Sequence, residues 1–236
     1  LLCLLVASAT SAADDQADIK ETIAKAVKAA GGESKLAAMK GVSWRESGTY
    51  YGMGGGIPFT ASIAYHYPDR MRVEIDNFAT IVTSNGKSWF KSAMGVEELT
   101  GERLKGQLDA LHSDTLSTLL PLKDKAYKLS KLEETKINEM PAVGVRVSHE
   151  KHRTVDLYFD KSSGLLVKRS EKVKSDELGG KEVTQETLFS NYKDVDGVQL
   201  AGKAVTSRDG EKYIETEHDE FKILANPDAK LFEKPE

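Results

Sequence analysis

The residues of this chain best equipped for chemistry are few and scattered. His149-Glu150-Lys151-His152 sets two imidazoles three positions apart, a spacing that on a helix face would bring both to one metal ion. The segment falls at an expected hairpin turn, where residues three apart need not converge, so it reads as a solvated turn. His66, His112 and His218 stand apart, with no short motif around any of them. The sequence has no Gly-x-Ser-x-Gly elbow. Gly52-Met53-Gly54-Gly55-Gly56-Ile57 is rich in glycine, but Ile57 stands where a phosphate-binding fingerprint needs its third glycine, and the run joins two expected strands instead of opening a helix. Asp156, Glu171 and Glu186 alternate with apolar residues, as on the solvent face of a half-buried sheet. No catalytic group, metal site or cofactor is nominated, and the expectation is a protein that is not an enzyme.

A different chemistry is legible in the apolar alternation. Phe59, Ala61, Ile63, Tyr65 and Tyr67 share one face of a strand, and Met71, Val73 and Ile75 share one face of the next. On a flat sheet this is ordinary core. On a strongly curved sheet whose concave side is incompletely filled, Phe59, Ile63, Tyr65, Met71, Val73 and Ile75, with Trp89 two strands on, would line an apolar cleft. Periodicity does not choose between a filled and an empty concave side.

The elements that would position these residues are mostly strands. Twelve are expected, at 43–51, 59–67, 71–75, 79–83, 87–91, 126–136, 142–149, 153–160, 165–174, 181–192, 197–207 and 211–224. Turns at Ser84-Asn85-Gly86, Lys161-Ser162-Ser163-Gly164, Asp196-Gly197 and Asp209-Gly210 punctuate them. Helices are expected at 17–30, where Ile19, Ile23 and Val27 recur at helical spacing before Gly31-Gly32, at 33–40, and at 100–120 before Pro121, with a break near His112-Ser113-Asp114. Leu231 and Phe232 anchor the tail. About a dozen strands with apolar faces require a sandwich, a barrel or a curved sheet.

Composition narrows the partners. The 236 residues carry a formal net charge of -4 with both signs interspersed, so no basic stripe exists for nucleic acid. The uncharged start, Leu1 to Ala12, passes from apolar to small residues before Asp14-Asp15, resembling the tail of a secretory signal cleaved after Ala12 or Ala13. No later segment approaches the roughly 20 apolar residues of a membrane-spanning helix. Cys3, the single cysteine, lies upstream of most of the apolar run, not at its end, and so is no lipid-attachment site. A mature chain without cysteine has no disulfide and no thiolate, which fits a bacterial periplasm.

Four segments taken in order resemble the periplasmic outer-membrane lipoprotein-sorting superfamily, the LolA-like and LolB-like carriers and their relatives. They are Ala29 to Leu36, Leu157 to Leu166, Phe189 to Val198, and the closing Asn226 with Phe232. The resemblance implies a mainly β fold, an unclosed antiparallel half-barrel of about 11–12 strands over residues 14–236, with the helices at 17–40 and 100–120 covering a hydrophobic cavity. It also implies a periplasmic carrier of lipid or lipoprotein acyl chains, in transient contact with inner- or outer-membrane proteins. A sensor or protein-interaction module of the same fold with a filled cavity, and an envelope hydrolase, are the alternatives. Residues 92–125 match the dedicated carriers poorly, and no ligand-gating residue transfers.

Overall fold

Residues 12–236 are described by a computed structural model. The leader expected over residues 1–13 falls outside them, except for Ala12 and Ala13 at the start of the first helix.

The turn chemistry sets the architecture. Asn85-Gly86, Asp196-Gly197 and Asp209-Gly210 each place two successive residues at positive φ (51° and 79°, 53° and 81°, 47° and 86°), the type I′ geometry whose twist suits a two-residue hairpin. At Gly164 (φ 81°) the preceding hairpin is held by Asp160, whose carboxylate accepts hydrogen bonds from the backbone N–H groups of Ser162 and Ser163 at 3.1 and 2.6 Å.

Linked this way, the chain forms β1 (Gly41–Tyr50), β2 (Ile57–His66), β3 (Arg70–Ile75), β4 (Ala79–Ser84), β5 (Lys87–Ser92) and β6 (Gly95–Glu98). After an interruption come β7 (Lys128–Ile137), β8 (Met140–His149), β9 (His152–Asp160), β10 (Leu166–Ser175), β11 (Lys181–Val195), β12 (Val198–Arg208) and β13 (Glu211–Leu224). They make one antiparallel sheet of 13 strands, ordered β6-β5-β4-β3-β2-β1-β13-β12-β11-β10-β9-β8-β7. The edge strands β6 and β7 do not pair, so the sheet curls into a half-barrel and stays open. The twelve expected strands are present, and short β6 is the thirteenth.

Because the chain starts in the middle of the sheet and runs out to one edge, it must return across the open side to reach the other. That return holds α3 (Gly101–Leu116), which packs against β4 and β5 on one arm and β9 on the other. α3 is continuous where a break was expected. Ser113 shares its hydroxyl proton between the Asp109 carbonyl one turn back at 2.9 Å and the Glu171 carboxylate at 2.7 Å, and His112, Ser113 and Asp109 are all buried. α1 (Ala12–Ala29) lies along β7, tied by Lys131 to Asp18, and α2 (Glu33–Ala38) follows it. Gly31 seats the junction of these two helices against the β11–β12 turn, where a Cβ would stand 2.3 Å from the Gly197 carbonyl oxygen.

The core fills the space between helices and concave face. Ile19, Ile23 and Val27 of α1, Leu111 and Leu116 of α3, and Val145, Val147, Val155, Leu157 and Phe159 of β8 and β9 form one cluster. On the convex face the C-terminal turn Ala229–Phe232 packs over β3 and β4, burying Phe232 while Leu231 stays exposed. Among the described residues no helix is long and apolar enough to cross a membrane.

Candidate functional site

The middle of the concave face is unfilled. A cavity of about 1000 Å³ lies there, floored by β1, β2 and β11 to β13 and roofed by residues of the helical segments, including Leu36, Met39, Asp114 and Ser117. Register explains the void. One rung across five strands reads Phe59, Gly48, Thr216, Ala204, Phe189, and the next includes Tyr50, Ile214, Thr206 and Thr187. Small side chains occupy the centre of the first rung between Phe59 and Phe189, and threonines hold β11 and β12 in the second, so a curved floor meets a roof it cannot touch. At Gly48 a Cβ would come within 2.9 Å of the Phe59 ring, which lies across the position.

An aromatic stripe runs along the floor. Trp44 stacks on Tyr65 (5.5 Å between centroids, 8° from parallel), Tyr65 on Tyr67 (5.5 Å, 23°), and Trp44 lies 6.1 Å from Phe221. Burial pushes the Tyr65 and Tyr67 hydroxyls well above their ordinary range, so both stay protonated and can donate.

Polar groups interrupt the apolar lining. Beneath α3, Asp114 accepts from the Tyr65 hydroxyl and from Arg169 Nη1, both at 2.7 Å. Arg169 Nε also approaches Glu171 at 3.2 Å, too poorly aligned for a hydrogen bond, so that contact is electrostatic. Glu171 in turn accepts from Ser113 (2.7 Å) and lies 3.4 Å from Arg153, which with Lys105 neutralises Asp109. Three acids and three bases thus close a network between α3 and the strands β9 and β10. Glu171 is therefore not the solvent-face residue its alternation implied. Its register partner Val155 is fully buried, and α3 covers both.

At the far end Glu177 accepts from Tyr50 (2.9 Å), Tyr213 (2.6 Å), Ser175 (2.9 Å) and Arg208 (2.9 Å), and the Arg208 guanidinium lies 3.6 Å above the Tyr213 ring. Burial alone would raise the Glu177 carboxyl, but hydrogen bonds from Tyr213, the backbone, Tyr50 and Ser175 bring it down to about 2. Between the two ends stands Glu46, whose carboxylate accepts from Trp44 Nε1 at 3.2 Å and lies 3.6 Å from His218 Nε2. Burial raises the Glu46 carboxyl and lowers the His218 imidazole, moving both toward their neutral forms.

Of the seven residues nominated from sequence, Phe59, Tyr65 and Ile75 border this cavity; Ile63, Met71, Val73 and Trp89 do not. Ile63 and Met71 are packed into the core cluster with Leu111 and Leu116, and Val73 packs against it, because α3 lies over that arm of the sheet. Trp89 faces the convex side. It pairs with Val82, while Phe90 pairs with Ile81 on the concave rung of Ile63 and Val73. Most of the floor comes instead from β11 to β13, where Thr187, Ala204, Thr206 and Thr216 carry no apolar alternation to attract notice. Runs of small residues at period two opposite aromatic strands were the available signal.

Three of the four histidines outside the cavity converge where a solvated turn was expected. His149 and His152 pair across the β8–β9 hairpin with ring centroids 5.1 Å apart, and His112 of α3 stacks on His152 at 4.0 Å while sharing a 3.1 Å hydrogen bond with Tyr127. Among the described residues no group of three or more His, Cys, Asp or Glu has the geometry to hold a metal ion.

No family model matches the sequence, and no curated protein matches it. Solved structures do match its fold. A DUF1329 family protein from Desulfovibrio piger superposes with a TM-score of 0.64 at 12% identity, over 91% of this chain and 97% of its own. A LolA superfamily protein from Nitrosomonas europaea gives 0.61 at 10% identity, over 91% and 97%. A putative outer membrane lipoprotein-sorting protein domain from Vibrio parahaemolyticus gives 0.55 at 12% identity, over 85% and 94%. The chain shares its open half-barrel fold with these three structures, a LolA superfamily protein among them, and this is the fold that the resemblance in sequence implied.

Proposed function

We propose that this LolA-like half-barrel is a non-enzymatic periplasmic binder of lipid or lipoprotein acyl chains, which it holds between the concave sheet and the helices. The observation that carries the reading is the cavity of about 1000 Å³ with its mostly apolar lining, within the size range of small-molecule sites. Apolar chain moved from water into it would gain about 0.8 kcal/mol per methylene. The lipoprotein-sorting domain among the structural neighbours supports this choice of ligand, although it shares the fold at low identity. The leader-like residues 1–13 support export.

The test is displacement of an environment-sensitive fluorescent fatty acid from the purified protein by natural acyl lipids, together with analysis of lipids that co-purify from native envelope. Saturable binding and displacement are expected. A protein that binds no probe and carries no lipid overturns the reading in favour of an interaction module of the same fold. Turnover of ester substrates by pure protein would overturn it in favour of an enzyme.

A further inference from the structure

Each charged side chain on the cavity wall has an opposite charge beside it, with one exception. Asp76 is paired with Arg45, Asp114 with Arg169 at 2.7 Å, and Arg208 with Glu177 at 2.9 Å. Glu46 has no such partner among the described residues. Its nearest basic group is His218 Nε2 at 3.6 Å, and that nitrogen already shares a 2.8 Å hydrogen bond with the Thr216 hydroxyl, while Nδ1 is held 2.8 Å from the Ala201 carbonyl. Nδ1–H donates to that carbonyl, and burial lowers the imidazole, so at neutral pH the ring is uncharged, Nε2 accepts from the hydroxyl, and Glu46 gains no charge from it.

The Glu46 side chain is 14% exposed, and among the described residues it receives one side-chain hydrogen bond, from Trp44 Nε1 on one oxygen. An acid so placed is costly in an apolar site unless something supplies a donor or a positive charge. Among the described residues no Lys or Arg lies within 4 Å of it, and the cations on the cavity wall, Arg169 and Arg208, are held by Asp114 and Glu177. An occupant of the cavity can supply the charge.

We propose that the cavity selects amphiphiles that carry a protonated primary amine beside the alkyl chain, with Glu46 as the carboxylate that receives it. The inference rests on the reading of the cavity as an apolar-chain site and deepens it. Glu46 stands midway between the Asp114 and Glu177 clusters, with Trp44 and His218 beside it. A chain laid along the aromatic stripe would thus place its head group at an acid while its methylenes meet Tyr65, Phe221 and Phe189. A carboxylate-headed chain would set two acids against each other there, and a hydroxyl head would gain only a neutral hydrogen bond.

The test uses a neutral naphthylamine-type fluorescent probe displaced in turn by an alkyl amine, alcohol and carboxylate of one chain length. The amine should compete at least about tenfold more tightly than the alcohol, as expected of a charge-assisted hydrogen bond, and the carboxylate most weakly. In Glu46→Gln, which preserves shape and the acceptor for Trp44, amine and alcohol should bind within about twofold of each other; a thermal melt confirms that the variant is folded. Equal affinities for the three head groups in the wild type, or an amine preference that survives in Glu46→Gln, overturn the proposal and leave the cavity reading standing. Failure of all three to displace the probe overturns both. A single-chain ethanolamine phospholipid and an acylated lysine peptide, assayed the same way, separate a lipid head group from a protein segment as the amine's source. Binding of either supports the proposal.

Discussion

The imidazole of His112 lies face to face with that of His152, 4.0 Å between centroids and 10° from parallel, and joins a helix to a hairpin distant in sequence. Asp109 reaches His152 Nδ1 at 3.1 Å, with Arg153 and Lys105 on the other Asp109 oxygen. Among the described residues His112 has no ion-pair partner, and its Nδ1 is buried without a hydrogen-bond partner. Burial, reinforced by the neighbouring His152 and His149, lowers the His112 imidazole to about 4.

A pH dependence follows, and its sign is fixed by which state binds the proton. Unfolded, His112 takes it up below its ordinary value of 6.5; folded, it resists until about 4. Stability is therefore full above pH 6.5 and falls as pH drops toward 4, by about 3 kcal/mol at most. Urea unfolding of wild type and His112→Phe at pH 7 and pH 4.5 measures it. The wild type should lose about 2 kcal/mol more than the variant over that interval. Equal losses would mean that His112 does not resist protonation in the fold.

Arg169 should matter more to stability than any exposed ion pair. It is nearly buried between Asp114 and Glu171, and removing it takes from Asp114 its cation and from Glu171 one of two, beneath α3. Breaking a buried pair from one side costs about 3–5 kcal/mol. Arg169→Met is expected to fall in that range by urea unfolding at neutral pH, whereas Lys174→Met, which breaks an exposed pair with Glu102, should leave the urea midpoint close to the wild-type value. A loss below about 1 kcal/mol for Arg169→Met would show that the network does not hold α3.

Glu46 has the opposite character. Its carboxyl is raised by burial, so the folded state binds a proton that the unfolded chain has released, and stability declines as pH rises through the raised value. Glu46→Gln removes that titration. At pH 8 the variant should be more stable than the wild type by about 1 kcal/mol, with the gap closing near pH 4. A variant less stable than wild type at pH 8 would mean that the carboxylate has found a partner within the protein.

The parts of the fold written locally were readable in sequence. The Asn-Gly and Asp-Gly turns, the alternation of β2 and β3 and the Ile19, Ile23, Val27 face of α1 depend on neighbours a few positions away. What escaped depends on contacts between distant segments. Glu171 reads as a solvent residue until Ser113 and Arg153 are seen against it, and the three histidines reach one place only because α3 crosses the open side of the sheet. Four of the seven residues anticipated for the cavity, Ile63, Met71, Val73 and Trp89, miss it for the same reason. Apolar alternation marks where side chains pack, and Ile63 and Met71 pack; an empty centre is marked by Gly48, Ala204 and Thr216, whose smallness is informative only once their rung is known.

That distinction yields the last prediction. Ala204 lies at the middle of the rung between Thr216 and Phe189, on the cavity wall, whereas Ile63 is 5% exposed within the core cluster. Ala204→Phe adds a ring to space that is already empty, so it should leave the urea midpoint near the wild-type value while weakening a fluorescent fatty-acid probe by tenfold or more, about 1.4 kcal/mol. Ile63→Asp buries an unpaired carboxylate in packed surroundings and should unfold the protein or cost several kcal/mol, without informing on the ligand. If Ala204→Phe destabilises as strongly as Ile63→Asp, the concave centre is filled in solution; if it binds probe like the wild type, the ligand lies elsewhere on the half-barrel.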